Sequence, residues 1–193
     1  MIEKFHFEES KISIIPVWID DKLKNYKKTN YYLNDSIRFL SVGRLINVKG
    51  FDGLISLCAK IDKLIHKSWT LSIVGSGLKE AELKALSHKL DLENKIEFLG
   101  NKKRTEIFLL MQNTDIYFQL SMDTTQGDHE GMPSAVLEAA AIGCPIVATN
   151  HGGIPEIIND GEYGFIVNDI SDNILPKKIN DLIFNKERRK WIG

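Results

Sequence analysis

Short apolar runs alternate with amphipathic stretches along most of this chain. The apolar runs, which predict β-strands, occupy residues 37–42, 69–74, 96–99, 115–119, 145–148 and 164–167. Helical spacing of apolar residues predicts a first helix that Asp52 caps, and further helices at 78–90, 105–112, 133–142, 154–158 and 172–184. Strands joined by helices run parallel with right-handed crossovers. The predicted fold class is therefore α/β, with a doubly wound, Rossmann-like parallel sheet.

Glycine residues follow the ends of four predicted strands, at Gly43, Gly75, Gly100 and the pair Gly152-Gly153. The carboxyl ends of parallel strands meet at one edge of the sheet, and ligands of such sheets bind beyond that edge. The sequence therefore predicts a single ligand site at this edge.

Two glutamates, Glu130 and Glu138, stand eight positions apart around the start of a predicted helix. Gly131 and Pro133 lie between them, and Gly143 ends the helix. Backbone N–H groups at a helix start can hold phosphate, and carboxylates can hold hydroxyl groups or positive charge. This combination favours a sugar nucleotide as the ligand.

Two cations, Arg44 and Lys49, follow the first predicted strand and flank a turn. Two positive charges beside a cleft can neutralise a diphosphate as it leaves. The alternative is a pair of surface cations near a helix start, which is an unfavourable place for them unless an anion is bound.

The glycines Gly75 and Gly77 follow a predicted strand, as in a dinucleotide-binding loop. Glu80 stands where that motif has its third glycine, so NAD binding is not expected. Two interpretations stay open. One is a tight turn with close helix packing, and the other is a wall of a nucleotide pocket that a ligand can approach closely.

Taken in order, these blocks resemble the C-terminal, donor-binding half of a retaining GT-B glycosyltransferase of the GT4 group, the glycosyl transferases group 1. The blocks lie at residues 13–16, 41–45, 49–50, 73–77, 98–100, 130–138, 152–156 and 161–164. Residues 130–138 are similar to the family's E-x7-E motif, and the whole resemblance covers roughly residues 12–167. Residues 127–133 are most similar to enzymes that assemble exopolysaccharides and lipopolysaccharides.

The resemblance implies roles for four charged residues. Arg44 and Lys49 match the family residues that contact the donor pyrophosphate, and Glu138 matches the glutamate that holds the ribose hydroxyls. Glu130 is expected near the donor sugar, where it binds hydroxyl groups and stabilises positive charge at C1. Glu130, Arg44 and Lys49 are therefore the candidate catalytic residues.

A longer set of donor-binding residues follows from the same resemblance. It comprises Gly43, Arg44, Lys49, Gly75, Gly77, Asn101, Gly131, Met132, Ser134, Ala135 and Glu138. Backbone groups near Asn101 are expected to contact the base. Many family members have glycine where this chain has Pro133, which lacks an N–H, so phosphate contact is expected from Met132, Ser134 or Ala135.

The implied activity is transfer of a hexosyl group, with retention, from a UDP- or GDP-sugar to a saccharide or lipid-linked acceptor in cell-surface polysaccharide synthesis. The leaving phosphate is expected to help deprotonate the acceptor, so the two glutamates are not a glycosidase pair. The sequence shows no metal-binding motif, and neither a metal ion nor another cofactor is expected. The alternatives are a catalytically silent nucleotide-sugar-binding or interaction module and a GT-B sugar-nucleotide epimerase.

Composition limits partners and location. The formal net charge of -1 gives no reason to expect nucleic acid as a partner, and no apolar run reaches the ~18 residues of a membrane span. Without a signal peptide, the expected location is the cytoplasm, with membrane association in the full-length enzyme as an addition. The basic clusters at 102–104 and 186–190 are expected to be solvated surface, with contact to an anionic membrane as the alternative.

Three further residues carry simpler expectations. Cys58 and Cys144 are expected to be buried small hydrophobic residues rather than a disulfide or a metal pair. His151 is expected to have a packing or solvent role, with contact to the donor as the alternative.

Residues 1–193 are expected to form one domain. A GT-B enzyme also has an acceptor-binding N-terminal domain and terminal crossover helices, and both are expected to be absent from this chain. Cleft closure between the two domains normally positions the acceptor, so weak donor binding and little or no transfer are expected of this chain alone.

Overall fold

The computed structural model describes residues 19–123, 131–158, 161 and 164–193. Within these ranges, six strands form one parallel sheet. The strands are β1 (Ile37–Val42), β2 (Trp69–Val74), β3 (Ile96–Gly100), β4 (Ile116–Gln119), β5 (Ile146–Thr149) and β6 (Phe165–Val167). Their spatial order is β3-β2-β1-β4-β5-β6, which reverses at the β1–β4 pair. The predicted doubly wound α/β sheet is confirmed.

Helices cover both faces of this sheet. They are α1 (Phe51–Asp62), α2 (Glu80–Lys89), α3 (Arg104–Asn113), α4 (Ser134–Ile142), α5 (Ile154–Ile157), α6 (Leu175–Phe184) and α7 (Lys186–Ile192), with 3-10 turns at Asp21–Tyr26 and Asn47–Lys49. The core on one face includes apolar residues of α1, α2 and α6, and the core on the other includes those of α3, α4 and α5. The sheet is therefore buried between two helical layers.

Successive residues of the central strands pack alternately into these two cores. The Phe39 ring packs on one face against Trp69 and Phe118, at centroid distances of 5.6 and 5.4 Å. Leu40 and Tyr117, one position away along the same strands, belong to the opposite core. A strand buried on both faces needs apolar residues at most positions, which is why runs rich in apolar residues identified the strands, although Arg38 and Ser41 interrupt β1 and Thr70 and Ser72 interrupt β2.

Helix α1 begins because of Gly50, and the prediction that Asp52 caps it was wrong. Gly50 is the N-cap at φ 64°, and no side chain caps this end. A Cβ at Gly50 would overlap the carbonyl oxygen of Leu120, just after β4. The left-handed backbone and this close approach both require glycine, and they place Asp52 inside the first turn, where its charge suits the helix dipole.

Two predicted helices begin later than expected. Helix α2 starts at Glu80, and Leu78 is 98% exposed because the preceding residues form a turn in which Lys79 N donates to the oxygen of Leu45. Helix α6 starts at Leu175, since the Asp172 carboxylate accepts a hydrogen bond from the N–H of Ile174 and holds a turn there. Both starts depend on hydrogen bonds that apolar periodicity does not report, one to the loop after β1 and one within a local turn.

One residue of the basic cluster at 186–190 is buried, which corrects the prediction of a solvated surface at that position. Arg189 is 3% exposed. Its guanidinium donates to the carbonyl oxygens of Leu182 and Ile183 at the end of α6, and to that of Tyr31 at 2.7 Å. Arg189 therefore joins α6 and α7 to the segment that precedes β1.

Both cysteines are buried and free, as predicted. Burial raises the pKa of the Cys144 thiol to about 12 and also raises that of Cys58. Because the thiolate is the nucleophile, we expect both thiols in the folded protein to react with iodoacetamide at pH 8 at least ~100-fold more slowly than in urea. Mass spectrometry of quenched samples measures these rates, and equal rates in the two conditions would contradict the burial described here.

Candidate functional site at the carboxyl edge of the sheet

Backbone hydrogen bonds join the loops that follow four of the strands. The donor and acceptor pairs are Gly43 N to Val74 O (3.0 Å), Leu45 N to Ser76 O (2.9 Å), Gly75 N to Gly100 O (2.9 Å) and Met122 N to Val48 O (2.9 Å). In addition, the Thr149 hydroxyl at the end of β5 donates to the carbonyl oxygen of Ser121. The carboxyl ends of β1 to β5 and the loops after β1, β2 and β4 therefore form one connected edge, where ligands of doubly wound sheets bind.

The loop after β1 brings its two cations to this edge. Residues Asn47–Lys49 form a 3-10 turn that Gly50 ends in the left-handed conformation. The aliphatic stem of Lys49 lies across Gly43, where a Cβ would be 3.4 Å from Cδ and 3.5 Å from Cε of the lysine. Arg44 is exposed on the same loop. The loop thus fixes the stem of one cation and presents the other to solvent.

The missing side chains of Gly75 and Gly77 make room for the loop after β1. A Cβ at Gly75, where φ is 134°, would overlap the carbonyl oxygen of Gly43, and a Cβ at Gly77 would overlap that of Leu45. These contacts support the tight-turn interpretation, with a neighbouring loop rather than a helix as the packing partner. Contact of these two backbones with a nucleotide stays a prediction.

Asn101 is tied to the loop after β2. The Ser76 hydroxyl donates to Asn101 Oδ1 at 3.2 Å, and both residues are exposed. The predicted base-contacting segment therefore lies beside the predicted nucleotide wall. Its contact with a base stays a prediction.

The start of α4 supplies uncapped backbone N–H groups. Pro133 is the N-cap, with the extended angles φ -72° and ψ 112°, so the helix begins at Ser134 and not at Pro133 as predicted. No side chain caps this end. The first N–H groups of a helix lack intrahelical acceptors, and the dipole there favours an anion. Ser134, which is exposed, and Ala135, which is half-buried, carry the first two of these groups.

The turn after β5 holds the segment that enters α4. Gly153 N donates to the carbonyl oxygen of Gly131 at 2.9 Å. The Met132 side chain lies against Gly153, where a Cβ would be 2.9 Å from Cε and 3.2 Å from Sδ. The Met132 side chain is thus used in packing. Contact between its backbone and the donor phosphates stays a prediction.

His151 lies against the loop after β4. Its Nδ1 is 3.6 Å from Asp123 Oδ1, and the imidazole side chain is 9% exposed while the Asp123 side chain is 65% exposed. This burial agrees with the expected packing role. Asp123, which the sequence analysis did not single out, is the acid beside it.

Glu138 is buried and forms an ion pair that the sequence analysis missed. Its side chain is 10% exposed, and Oε1 accepts from Arg104 Nε at 2.9 Å and lies 2.7 Å from Nη2. Arg104 was expected to be a surface cation of the cluster at 102–104. The available signal was its place in the first turn of α3, where an unpaired cation is unfavourable.

Glu130 lies outside the described residues, as do the blocks 13–16 and 127–129 and parts of 161–164. Its role near the donor sugar stays a prediction. The described chain resumes at Gly131, directly after it.

Other features lie away from this edge. Among the described residues, no group of three or more His, Cys, Asp and Glu side chains is placed to hold a metal ion. No helix in the described ranges combines the length and the apolar character needed to cross a membrane. A cavity of about 450 Å³ lies among β6, α6 and α7, with Phe165, Leu175 and Arg188 in its lining and none of the predicted site residues.

Comparison with known proteins identifies the family. The glycosyl transferases group 1 family matches residues 24–193. The amylovoran biosynthesis glycosyltransferase AmsK of Erwinia amylovora is 35% identical over 156 residues, which are 81% of this chain and 38% of the relative. The putative colanic acid biosynthesis glycosyltransferase WcaL of Salmonella typhimurium is 35% identical over 131 residues, 68% of this chain and 32% of the relative.

A solved structure agrees with these relatives. HepE of Anabaena, crystallised in complex with UDP and glucose, is similar at a TM-score of 0.70 and 27% identity, over 82% of this chain and 41% of that chain. This chain therefore spans about two fifths or less of the length of these proteins. The expected C-terminal half of a GT-B fold is confirmed, and the chain belongs to the glycosyl transferases group 1 family.

Proposed function

We propose that this chain is the donor-binding part of a retaining glycosyltransferase that uses a nucleoside diphosphate sugar. In the proposed reaction, a hexosyl group passes to a saccharide or lipid-linked acceptor during synthesis of a cell-surface polysaccharide. The observation that carries the proposal is the connected edge, where the loop of Arg44 and Lys49 is hydrogen-bonded to the loops after β2 and β4. The helix that bears Glu138 begins uncapped from a segment that the turn after β5 holds.

The relatives support this substrate class. HepE was crystallised with UDP and glucose, and AmsK and WcaL carry names from amylovoran and colanic acid biosynthesis. Applied to this chain, these names favour a nucleotide sugar as the donor and polysaccharide synthesis as the pathway. The donor base and the sugar stay open between UDP- and GDP-linked forms.

The proposed roles follow from charge and geometry. As the bond from C1 to the leaving phosphate breaks, negative charge grows on the diphosphate. Arg44, Lys49 and the N–H groups of Ser134 and Ala135 would stabilise that charge. The Glu138 carboxylate would accept hydrogen bonds from the ribose hydroxyls. Glu130 would lie near the sugar and stabilise positive charge at C1. The backbone of the loop after β1 and the Glu138 carboxylate are held by hydrogen bonds before the ligand arrives, which lowers the cost of reorganisation.

Calorimetric titration with UDP, GDP and ADP tests the proposal. We expect one diphosphate to bind the wild-type chain, and we expect the Arg44→Ala, Glu138→Ala double variant to lose about 100-fold or more in affinity. That loss corresponds to two charge-assisted contacts of about 1.5 kcal/mol each.

A Lys27→Ala, Glu187→Ala variant is the matched control, because it also removes one exposed cation and one acid while leaving the site intact. It should bind as the wild type does. If none of the three diphosphates binds to the folded wild-type protein, the proposed donor site is wrong. Epimerisation of a UDP-sugar would instead favour the alternative enzyme class.

A further inference from the structure

The ion pair between Arg104 and Glu138 links two elements that are far apart in sequence. Arg104 is the first residue of α3 and Glu138 lies in the second turn of α4. The guanidinium nitrogens Nε and Nη2 both contact Oε1, at 2.9 and 2.7 Å. Within the described part of the chain, Oε2 accepts no hydrogen bond. The pair thus saturates one carboxylate oxygen and leaves the other available.

Two contacts hold the guanidinium of Arg104, whose side chain is 55% exposed. Its central carbon lies 5.5 Å from the centroid of the Phe108 ring, one turn further along α3. Phe108 is itself 3% exposed, so the ring that supports the cation is held by the core. A cation in the first turn of a helix opposes the helix dipole, and the nearby carboxylate offsets that cost. Arg104 is therefore held by a ring and a carboxylate, both on buried residues.

We propose that Arg104 is a positioning residue for nucleotide recognition. By occupying Oε1, it orients the Glu138 carboxylate so that Oε2 accepts hydrogen bonds from the ribose hydroxyls of the donor. This inference rests on the proposed function and deepens it. It names Arg104 and Glu138 as the two residues that select a ribose over a deoxygenated sugar. Arg104 acts through Glu138 and does not itself need to touch the nucleotide.

The position of Arg104 gives this pair a second consequence. Asn101, predicted to lie beside the base, comes three residues before Arg104 in the loop between β3 and α3. The ion pair therefore joins the predicted base-contacting loop to the predicted ribose-contacting helix. A nucleoside that fits both parts must carry its hydroxyls at a fixed distance from its base.

The test compares a ribonucleotide with its deoxygenated analogue. The dissociation constants of UDP and 2′,3′-dideoxy-UDP are measured by calorimetry for the wild type, Arg104→Gln and Glu138→Gln, with the GDP pair used instead if GDP binds better. We expect Arg104→Gln to weaken UDP binding about tenfold and dideoxy-UDP binding less than twofold. The dissociation constant of dideoxy-UDP divided by that of UDP should therefore decrease, and we expect the same decrease in Glu138→Gln. The double variant should add little to either single change.

Two further variants make the result decisive. Lys102→Gln removes an exposed cation from the same loop and should leave the ratio unchanged. Arg104→Lys keeps the charge but not the two converging N–H groups, and it should lose part of the ratio. If Arg104→Gln does not fold, Arg104→Lys decides the question.

The outcomes separate the two proposals. An unchanged ratio in a folded Arg104 variant overturns the positioning role, and so does an equal loss of affinity for both nucleotides, which would place Arg104 at the phosphates or in the fold. A folded wild-type chain that binds no diphosphate contradicts the proposed function itself.

Discussion

Replacing Gly75 by alanine is expected to lower the free energy of unfolding by about 3 kcal/mol or more, because the new Cβ would overlap a backbone oxygen at a positive φ. The oxygen belongs to Gly43, and the backbone φ at Gly75 is 134°. Relief of the overlap requires the loops after β1 and β2 to separate. The variant should therefore also lose nucleotide binding. Urea denaturation followed by circular dichroism measures the stability.

Gly100→Ala is the matched control for this change. Gly100 also has a positive φ, 63°, but no described atom lies within 4 Å of a Cβ placed there. It should lose only about 1 kcal/mol, the cost of a left-handed backbone for a residue with a side chain. If the two variants are equally stable, the close approach of the two loops is wrong.

Replacing Arg189 by alanine is expected to cost about 3 kcal/mol, because three carbonyl oxygens each lose a donor inside the protein. The acceptors are the oxygens of Leu182, Ile183 and Tyr31. The change should loosen both α7 and the segment before β1, which the guanidinium joins. Amide hydrogen exchange of the segments 20–33 and 182–192 reports that loosening, alongside urea denaturation.

Two controls isolate the hydrogen bonds of Arg189. Lys190→Ala removes the next cation along α7, which is exposed, and should change the stability by less than about 0.5 kcal/mol. Arg189→Met keeps most of the side-chain volume without the donors. It should lose nearly as much as Arg189→Ala, and a methionine variant as stable as the wild type would show that packing matters instead.

The strands could be predicted from the sequence because the sheet is buried on both sides. All four residues of β4 are buried and three of them are apolar, so its sequence favours a strand that packs on both faces. The helix starts were less predictable. Gly50 begins α1 through a contact with Leu120, seventy positions away, and Pro133 takes the N-cap position through its backbone angles. Periodicity reports which face a helix buries, not where its first hydrogen bond forms.

The candidate site, like the fold, could be predicted from the sequence only in part. The glycines and cations near Gly43 could be placed at one edge, because parallel strands bring their carboxyl ends together. The roles of Arg44, Lys49 and Glu138 came from resemblance and stay predictions. The ion pair of Arg104 with Glu138 joins residues thirty-four positions apart, so the place of Arg104 at a helix start indicates that it needs an acidic partner but not which one. Arg189 was missed for a related reason, since its acceptors are carbonyl oxygens that every residue has.

The hydrogen bonds between the edge loops decide how this protein can be engineered. Residues 43–50 are hydrogen-bonded to the loops after β2 and β4. At Gly75 and Gly50, a neighbouring backbone lies so close that no side chain would fit. A loop transplanted alone from a relative would meet partners shaped for another sequence. If this edge binds the donor as proposed, exchange of donor specificity between members of this family calls for a cassette of three segments, 43–50, 75–77 and 120–123, moved together.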